Sequence, residues 1–304
     1  MPIPADSLPA TPEYLPFRDG PFRMSMSLNE LKLDDWIEID RHYPAELALK
    51  RKLLNERHAE VFAALPGSES SSREVLELLA DHLPRRFPQW FERSGQRFVN
   101  KIAGETCDLR DSSLHPLDIA ARLVQEDLCL MQPGKDAFCL TAASVAFPSR
   151  WTLDEKMGKP MQSIHAPVAF YVQKIGATTD RYLKMMSADQ PVWRINWNVH
   201  DTDELFQPRG HGRNTPDPAI TPENAGSKLF LRLERQTLRR LPVSGDILFT
   251  IRTYIRPLSD FANRPDVARN LAGALRNLPP ETSGYKSQGV FFAAALKWLD
   301  GIGS

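Results

Sequence analysis

The chain has 304 residues, and 42% of them are hydrophobic, which is enough to bury one large core or two smaller ones. Lysine and arginine together number 38, as do aspartate and glutamate, so no net charge favours nucleic acid or an anionic membrane surface. The N-terminus lacks a signal-peptide pattern, and no apolar run reaches the roughly 18 residues of a membrane-spanning helix. We therefore expect a cytoplasmic protein.

Motifs of several common enzyme classes are missing from the sequence. There is no HExxH pair, no GxSxG elbow and no glycine-rich phosphate loop, so metallohydrolase, serine hydrolase and nucleotide-binding functions lack support. Three cysteines, Cys107, Cys129 and Cys139, are too few and too irregularly spaced for a disulfide framework or a zinc site. We interpret them as reduced packing residues, with a thiolate metal ligand as the alternative.

The first 27 residues are rich in proline and show no periodic pattern of apolar residues. Such a segment is typical of an extended arm that lies over a folded domain. Tyr14, Phe17 and Phe22 are the side chains expected to attach it. Residues 28–304 are then predicted to form a single domain.

Helices and strands are predicted along the rest of the chain from apolar spacing and from the positions of proline and glycine. In chain order they are helices over 45–65, 72–83 and 116–124, strands over 127–132 and 137–147, a helix after Pro167, a strand over 191–200, and helices over 267–278 and 289–299. Residues 207–226 are dense in Pro, Gly, Asn and Asp, which predicts a long surface loop or lid that contains His211.

Two strand-like runs within residues 227–257 carry charges among their apolar residues. In the first run, the period of two places Arg235 and Thr237 on the same face as three leucines. Arg232 and Glu234 lie on the other face. Charged side chains at such positions indicate that something polar is held there.

A turn over 242–246 joins the two runs and favours an antiparallel hairpin, with a glycine free to take positive φ. If the hairpin is symmetric about this turn, Glu234 faces Arg252 and Arg232 faces Tyr254 across the ladder. The alternative is an exposed sheet face with ordinary cross-strand ion pairs.

The predicted elements indicate a fold class. Helices flank at least five predicted strands, and hairpins rather than long crossovers join those strands. We therefore predict an α+β domain with a mainly antiparallel sheet.

His165 has the most distinctive surroundings among the seven histidines. It precedes Ala166 and Pro167 at a predicted helix start, with Ile164 and Val168 beside it. A neutral imidazole in an apolar setting is a good ligand for iron or zinc when its second nitrogen has an acceptor. The alternative is a helix-entry histidine hydrogen-bonded to the backbone.

Two arginines are placed to bind an anionic group such as a carboxylate. Arg150 and Trp151 follow a predicted strand, and Arg194 and Asn196 lie on the polar face of another. The alternative for each arginine is a surface ion pair. The Tyr-Lys pair at 285–286 either starts a helix or forms the polar wall of a pocket.

Six segments of the chain have unusual compositions: FPSRW (147–151), KMGKPMQSIHAPVAFY (156–171), VWRINWNV (192–199), LRLERQTLRRLP (231–242), FTIRTYIRPL (249–258) and the late YK (285–286). Together they resemble the haem-dependent oxidative N-demethylase family, whose haem-bearing subunit has an elaborated PAS fold. The resemblance extends from about Tyr14 to Leu299. Where the family tends to read IHAPVP, this chain has Ala169, which leaves the histidine in place but affects the shape of the pocket.

The resemblance implies a b-type haem, dioxygen activation at its iron, and oxidation of a small methylated amine, similar to dimethylamine, to the demethylated amine and formaldehyde. It also implies electrons from a separate reductase that carries FMN and an iron–sulfur cluster and uses NADPH. The absence of nucleotide and cluster motifs in this chain agrees with that division. The resemblance leaves open whether the chain forms a homo-oligomer or a hetero-oligomer.

The resemblance also implies roles for particular residues. His165 becomes the proximal iron ligand, and Arg150 and Arg194 become partners of the haem propionates. The further cofactor-binding candidates are Trp151, Asn196, Arg252 and Tyr254.

The catalytic candidates implied by the resemblance are Glu234, Arg235 and Thr237. A carboxylate can hold a cationic amine, and a guanidinium or hydroxyl can stabilise negative charge on bound dioxygen. Because neighbouring strand residues point to opposite faces, Glu234 and Arg235 cannot both line one pocket without a bulge.

Two other functions fit the same features. One is a PAS-type sensor or carrier that binds haem and a gas without turnover, since a fold does not determine a function. The other is a haem-free relative that has reused the pocket for another ligand.

Overall fold

A computed structural model describes residues 2–210 and 212–303, so Met1, His211 and Ser304 lie outside the described residues. The helices are α1 (Tyr43–Glu56), α2 (His58–Val61), α3 (Glu69–Arg86), α4 (Pro116–Ala121), α5 (Met161–Ile164), α6 (Ala177–Met185), α7 (Ala225–Lys228), α8 (Pro265–Arg276), α9 (Pro280–Tyr285) and α10 (Phe292–Gly303). The strands are β1 (Asn29–Glu30), β2 (Phe62–Ala64), β3 (Phe91–Ser94), β4 (Arg97–Asn100), β5 (Glu105–Asp108), β6 (Asp127–Pro133), β7 (Phe138–Ser144), β8 (Val192–His200), β9 (Phe230–Arg240) and β10 (Ile247–Pro257). A π-helical turn, Val172–Gly176, leads into α6. Across the described ranges, no helix has the length and apolar character needed to cross a bilayer.

One antiparallel sheet of seven strands organises the molecule, in the order β1-β8-β9-β10-β6-β7-β2. The hairpin β9–β10 forms its centre, because both strands have 11 residues and pair along their whole length. β8 pairs with β9 along the edge that faces away from β10, and β6 pairs with β10 along the edge that faces away from β9. The predicted α+β fold with a mainly antiparallel sheet is confirmed.

The register of the hairpin differs by one residue from the symmetric pairing expected from the sequence. Thr253, not Arg252, lies opposite Glu234. Gly245 adopts a φ of +75°, and its N–H donates to the carbonyl of Leu241. The loop between β9 and β10 therefore contains one residue more than the symmetric pairing would give it. Because side chains alternate with a period of two, this shift places the Arg252 side chain on the face opposite Glu234.

The two faces of the sheet differ in character. The front face of β8, β9 and β10 carries Arg194, Asn196, Asn198, Arg232, Glu234, Gln236 and Phe249. The back face carries Ile195, Trp197, Leu233, Arg235, Thr237, Arg252 and Tyr254. Most of the polar side chains on the β8–β9 part of the front face are half-buried.

Apolar packing covers both faces unequally. On the back face, α1 and α3 pack over the β6 end of the sheet, and α8 and α10 pack over the β8–β9 end. On the front face, a smaller cluster joins β6, β7 and β10 to Leu153 and to Leu183 of α6. Arg240 fixes α6 to the sheet, since its guanidinium donates to the carbonyls of Leu183 and Met186 at the helix C-terminus (2.6 Å each). The apolar front cluster thus ends where the polar residues of β8 and β9 begin.

Three regions differ from the predicted secondary structure. The helix predicted over 45–65 ends at Glu56, and residues 62–64 form β2 instead. Pro167 is followed by turns, and helical structure resumes only at Val172. Residues 91–108 form a separate sheet in the order β3-β4-β5 that the sequence did not predict. These strands have four residues each and include charged side chains, so their apolar alternation is too short to read.

The N-terminal segment lies along the domain with little regular structure. The Tyr14 hydroxyl donates to Glu38 Oε1 (2.5 Å), and Phe17 is buried with its ring 5.5 Å from that of Trp197. Phe22 is half-buried. Tyr14 and Phe17 are therefore its aromatic contacts with the back-face core.

A buried histidine on α3 predicts that acid destabilises the fold. His82 is 4% exposed, packs against Trp36 and Phe87, and has an Nε2 atom without a hydrogen-bond partner in the described part of the chain. Burial lowers the pKa of His82 to about 4. The unfolded chain, with a histidine pKa near 6.5, therefore binds the proton preferentially. Through His82 alone, the free energy of unfolding should fall by up to about 1.4 kcal/mol per pH unit as the pH drops from about 6.5 to about 4. His165 and His200, whose pKa values burial lowers to about 4 and about 3, add to this fall.

Urea titrations between about pH 7.5 and about pH 5 measure this dependence. The His82→Leu variant keeps an apolar side chain without a titrating group, so its stability should change less with pH than that of the parent. His42→Leu is the matched control for loss of a histidine, because His42 is exposed. An identical pH dependence in His82→Leu and the parent would contradict the prediction.

Candidate functional site

His165 lies at the C-terminal end of α5 rather than at a helix start. Its Nδ1 is 3.0 Å from the carbonyl oxygen of Met161, so Nδ1 carries the hydrogen and Nε2 carries the lone pair. The imidazole stacks on the Tyr171 ring, with centroids 4.5 Å apart and planes inclined by 17°. Burial lowers the pKa of His165 to about 4. The imidazole is therefore neutral at pH 7 and has one nitrogen suited to a metal.

Arg194, on the front face of β8, is a half-buried cation without a close counter-ion. Its Nε is buried and has no hydrogen-bond partner among the described residues, and no described carboxylate forms an ion pair with it. Burial lowers the pKa of Arg194, and the charge of Glu234 opposes this from a longer distance. A desolvated cation without a partner is costly, so this position suits a bound carboxylate.

Glu234 lies on the front face of the neighbouring strand, and its side chain is 14% exposed. Its Oε2 accepts hydrogen bonds from Asn196 Nδ2 (3.2 Å) and Gln236 Nε2 (3.0 Å). Its Oε1 is 3.8 Å from Arg232 Nε, beyond hydrogen-bond distance. The two amides hold the carboxylate in place, and Oε1, which forms a long ion pair with the buried Arg232, can still accept from a cationic N–H donor.

Residues 285–286 adjoin the same region at the β8 side of the sheet. Asn198 Nδ2 donates to the carbonyl of Lys286 (3.3 Å). The Lys286 ammonium donates to the carbonyl of Trp197 and lies 5.0 Å from the centre of the Trp197 ring. The charge of Glu234 acts on Tyr285 and on Lys286, and those of Glu234 and Arg194 act on His165. One region therefore holds an imidazole, a guanidinium, a carboxylate and an amine.

Trp151, a cofactor-binding candidate, lies near the histidine segment. Lys156 Nζ donates to the carbonyl of Ile164 (2.8 Å) and lies 5.6 Å from the centre of the Trp151 ring. Trp151 itself is half-buried against the front-face cluster. Lys156 thus links Trp151 to the residue that precedes His165.

Arg235 and Thr237 do not line this region, which corrects their assignment as catalytic candidates. Both lie on the back face, because they are one and three residues from Glu234 on a regular strand. Arg235 donates to the carbonyls of Asp35 and Trp36 and borders a cavity of about 460 Å³ beneath the N-terminal arm. Thr237 forms a buried hydroxyl pair with Thr250 (2.6 Å). Glu234 and Arg235 therefore lie on opposite faces of β9, and Glu234 is the one that shares a face with Arg194 and Asn196.

Arg252 and Tyr254 are also on the back face, which corrects their assignment as cofactor-binding residues. Arg252 is fully buried and pairs with Asp40 (3.1 Å) and Glu46 (2.5 Å). The Tyr254 hydroxyl donates to Glu38. The one-residue shift in the hairpin register explains why neither residue faces the cross-strand partner that the sequence predicted for it.

Arg150 is near the front face but already has partners. Its guanidinium pairs with Asp201 and lies 3.4 Å from Gln207 Oε1, and the residue is 5% exposed. Its backbone has a φ of +65°, and its N–H donates to the carbonyl of Gln207. These contacts occupy part of the Arg150 guanidinium, whose Nη1 has no hydrogen-bond partner among the described residues. Arg194 has no close anion in the described ranges, so it is the better partner for an anionic ligand.

The cysteines are free thiols at separate places in the fold. Burial raises the pKa of Cys107, Cys129 and Cys139. A raised pKa disfavours the thiolate that a metal ligand requires, so the interpretation as packing residues is preferred.

Most of the chain matches one protein family. The family model described as haem-dependent oxidative N-demethylase, alpha subunit-like, covers residues 27–296. The chain belongs to this family. The resemblance inferred from the sequence segments is therefore confirmed.

The front-face residues fit the haem that the N-demethylase alpha-subunit-like family implies. Porphyrin supplies four ligands to the iron, and Nε2 of His165 can supply a fifth. The Nδ1 hydrogen bond to Met161 orients the imidazole in the way that such ligands require. Haem also carries two carboxylates, and Arg194 is a nearby cation that lacks an anion.

Three residues near the site were not singled out from the sequence. Gln236 follows Glu234 by two positions, so the period of a strand could have identified it. Tyr171 and Lys156 reach His165 and Ile164 only through turns whose path the sequence did not predict. Ala169, the departure from the family pattern, lies half-buried in one of these turns.

Proposed function

We propose that this protein binds a b-type haem on the front face of the sheet, with His165 as the proximal ligand. It then catalyses oxidative N-demethylation of a small methylated amine similar to dimethylamine. The observation that carries the proposal is the neutral His165 imidazole with one uncommitted nitrogen, close to an unpaired arginine and to Glu234. Family membership supports haem-dependent amine oxidation as the chemistry. The PAS-like description of the fold is part of the same proposal.

When bound, haem would supply the iron-centred activation of dioxygen on which amine oxidation depends. Overall, a methylated amine, dioxygen, two electrons and two protons give the demethylated amine, formaldehyde and one water. A separate reductase that carries FMN and an iron–sulfur cluster and uses NADPH would supply the electrons.

The side chains of this protein would bind and orient the haem and the amine. Arg194 would pair with a haem carboxylate, which removes the cost of its half-buried, unpaired charge. Glu234 Oε1 would accept a hydrogen bond from the ammonium group of the amine, while Asn196 and Gln236 hold the other oxygen. The half-buried setting strengthens this ion pair relative to one in water.

The proposal is tested by absorption spectroscopy and turnover. The purified protein should take up one equivalent of haemin and give a Soret band that shifts when carbon monoxide is added to the ferrous form. With a flavin and iron–sulfur reductase and NADPH, addition of dimethylamine should produce formaldehyde. Haem binding without amine-dependent formaldehyde would indicate the sensor or carrier instead, and the absence of saturable haem binding would reject both.

Replacement of Glu234 by glutamine should lower kcat/KM for the amine by roughly 10- to 100-fold, because a charge-assisted hydrogen bond becomes a neutral one. Haem stoichiometry should not change. Glu13→Gln is the control, since Glu13 is exposed and pairs with Arg256 and Arg264 at the surface. Equal kcat/KM values for Glu234→Gln and Glu13→Gln would remove Glu234 from the site.

A further inference from the structure

We propose that Tyr171 is a positioning residue, whose ring sets the plane and the tautomer of the His165 imidazole. Its effect on haem rests on the proposed function, in which Nε2 of His165 is the iron ligand. The two rings are stacked, with centroids 4.5 Å apart and planes inclined by 17°. The lone pair of Nε2 lies in the imidazole plane, so a ring stacked on the face of the imidazole leaves that lone pair free. Tyr171 can therefore orient the ligand without blocking the metal.

A single hydrogen bond does not fix the His165 ring. Its Nδ1–H donates to the carbonyl oxygen of Met161 (3.0 Å), and the imidazole can still rotate about the line that joins these two atoms. The stacked Tyr171 ring restrains this rotation, because a tilted imidazole would collide with it. If the imidazole turned away from Met161, the hydrogen could transfer to Nε2, and that nitrogen would then lack a lone pair for a metal. The two contacts together keep the ligand nitrogen available.

Two successive turns bring Tyr171 back over His165. The N–H of Val168 donates to the carbonyl of His165 (2.9 Å), and the N–H of Tyr171 donates to the carbonyl of Val168 (3.1 Å). Within the second turn, Phe170 adopts a left-handed φ of +65°, which is an outlier for a bulky side chain. Strained backbone of this kind persists where the surrounding contacts over-determine it, and it clusters at functional sites. Here the strained residue directly precedes the ring that stacks on the proposed ligand.

The Tyr171 ring is itself held in place. It is 7% exposed, and the π-helical turn Val172–Gly176 begins at the next residue. π-helical turns are frequent at functional sites. The Lys174 N–H donates to the carbonyl of Phe170 (3.0 Å), and its ammonium lies 4.9 Å from the centre of the Phe170 ring. The segment that carries Tyr171 is thus fixed on both sides of the ring, so the ring can restrain the imidazole.

Three variants separate the stacked ring from general packing. Tyr171→Leu removes the ring, and Tyr171→Phe keeps it. Tyr182 on α6 gives the matched control, because it is a half-buried tyrosine that packs against the front-face cluster and has no ring contact with His165 in the described part of the chain. Tyr182→Leu therefore makes the same substitution without removing the stack. Urea unfolding checks that each variant is folded.

The first measurement needs no haem. It records the nitrogen resonances of isotope-labelled histidines in the full-length protein at about pH 7.5, where the imidazole is neutral, and His165→Ala assigns the His165 signals. The parent, Tyr171→Phe and Tyr182→Leu should each show His165 as a single tautomer with the hydrogen on Nδ1. Tyr171→Leu should show a mixture of both tautomers. A single Nδ1–H tautomer in folded Tyr171→Leu would overturn the proposal.

The second measurement titrates each variant with haemin and records the electron paramagnetic resonance of the ferric form. Haem affinity should fall by roughly 10- to 100-fold in Tyr171→Leu, as is typical when a residue that orients a metal ligand is lost, and should not change in Tyr171→Phe or Tyr182→Leu. The ferric spectrum of Tyr171→Leu should also broaden, because the imidazole plane then varies between molecules. Equal haem affinities in Tyr171→Leu and Tyr171→Phe would overturn the positioning role.

The two measurements separate this inference from the proposed function. A parent protein that binds no haem, or binds haem without amine turnover, would reject the proposed function. The tautomer measurement on the haem-free protein would still decide whether Tyr171 positions His165.

Discussion

Replacement of His165 by alanine is expected to weaken haem binding by at least about 100-fold. Loss of a residue that only orients a metal ligand already lowers metal affinity by up to about 100-fold, and His165 would be the ligand itself. The structure gives the reason, because His165 combines a fixed Nδ1 hydrogen bond with an uncommitted Nε2. Titration with haemin, followed by the Soret band in ferric, ferrous and carbon-monoxide-bound forms, measures the change. Added imidazole should restore part of the spectrum by occupying the space left in the variant.

His42→Ala is the matched control, because His42 is exposed just before α1. The His42→Ala protein should bind haem as the parent does. Urea unfolding of both variants separates loss of a ligand from loss of the fold. A wild-type Soret band and stoichiometry in folded His165→Ala would show that another residue is the ligand. The proposed site on the front face would then have to be abandoned.

Replacement of Arg252 by methionine is expected to destabilise the fold by about 3–5 kcal/mol, because it leaves buried carboxylates without their cation. Arg252 is 0% exposed and contacts Asp40 and Glu46, which are 1% and 12% exposed. Burial raises the pKa of Glu46, and Arg252 opposes this. Without Arg252, protonation of Glu46 becomes easier, so the variant should recover part of its lost stability as the pH is lowered towards about 5.

Arg256→Met tests the same substitution further along the same strand. Arg256 is 29% exposed and pairs with Glu13 and Asp260 at the surface, so its loss should cost only about 0–1 kcal/mol. Urea titrations of both variants give the free energies of unfolding. Haem affinity of the folded Arg252→Met protein should match the parent. A fall in haem affinity without a loss of stability would return Arg252 to the haem site and contradict the observed register.

Local patterns in the sequence predicted much of the fold. The alternation along 191–200 predicted β8, and alternation along the first run of 227–257 correctly separated Glu234 from Arg235. The turn glycine at 245 has the positive φ that was expected. These features depend on neighbours two to four residues apart, which the sequence presents directly.

The pairing between strands could not be obtained in this way. One additional residue in the loop before β10 places Arg252 and Tyr254 on the face opposite Glu234, although alternation along β9 had been predicted correctly. The short strands β3, β4 and β5 escaped prediction because four residues carry too little alternation. An error of one residue in a loop changes every contact across a ladder, and local propensity does not report it.

The sequence by itself offered candidates for the chemistry and, for those on strands, the face of the strand on which each lies. His165 and Arg194 were singled out from residue type, apolar neighbours and strand period, and Glu234 became a candidate through the family resemblance. Only the tertiary structure decided which charges were already paired: Arg150 with Asp201, Arg235 with backbone carbonyls, and Arg252 with Asp40 and Glu46, while Arg194 has no close anion among the described residues. Partners of a buried charge come from segments distant in the chain, and their approach depends on how helices and strands pack rather than on spacing along the sequence.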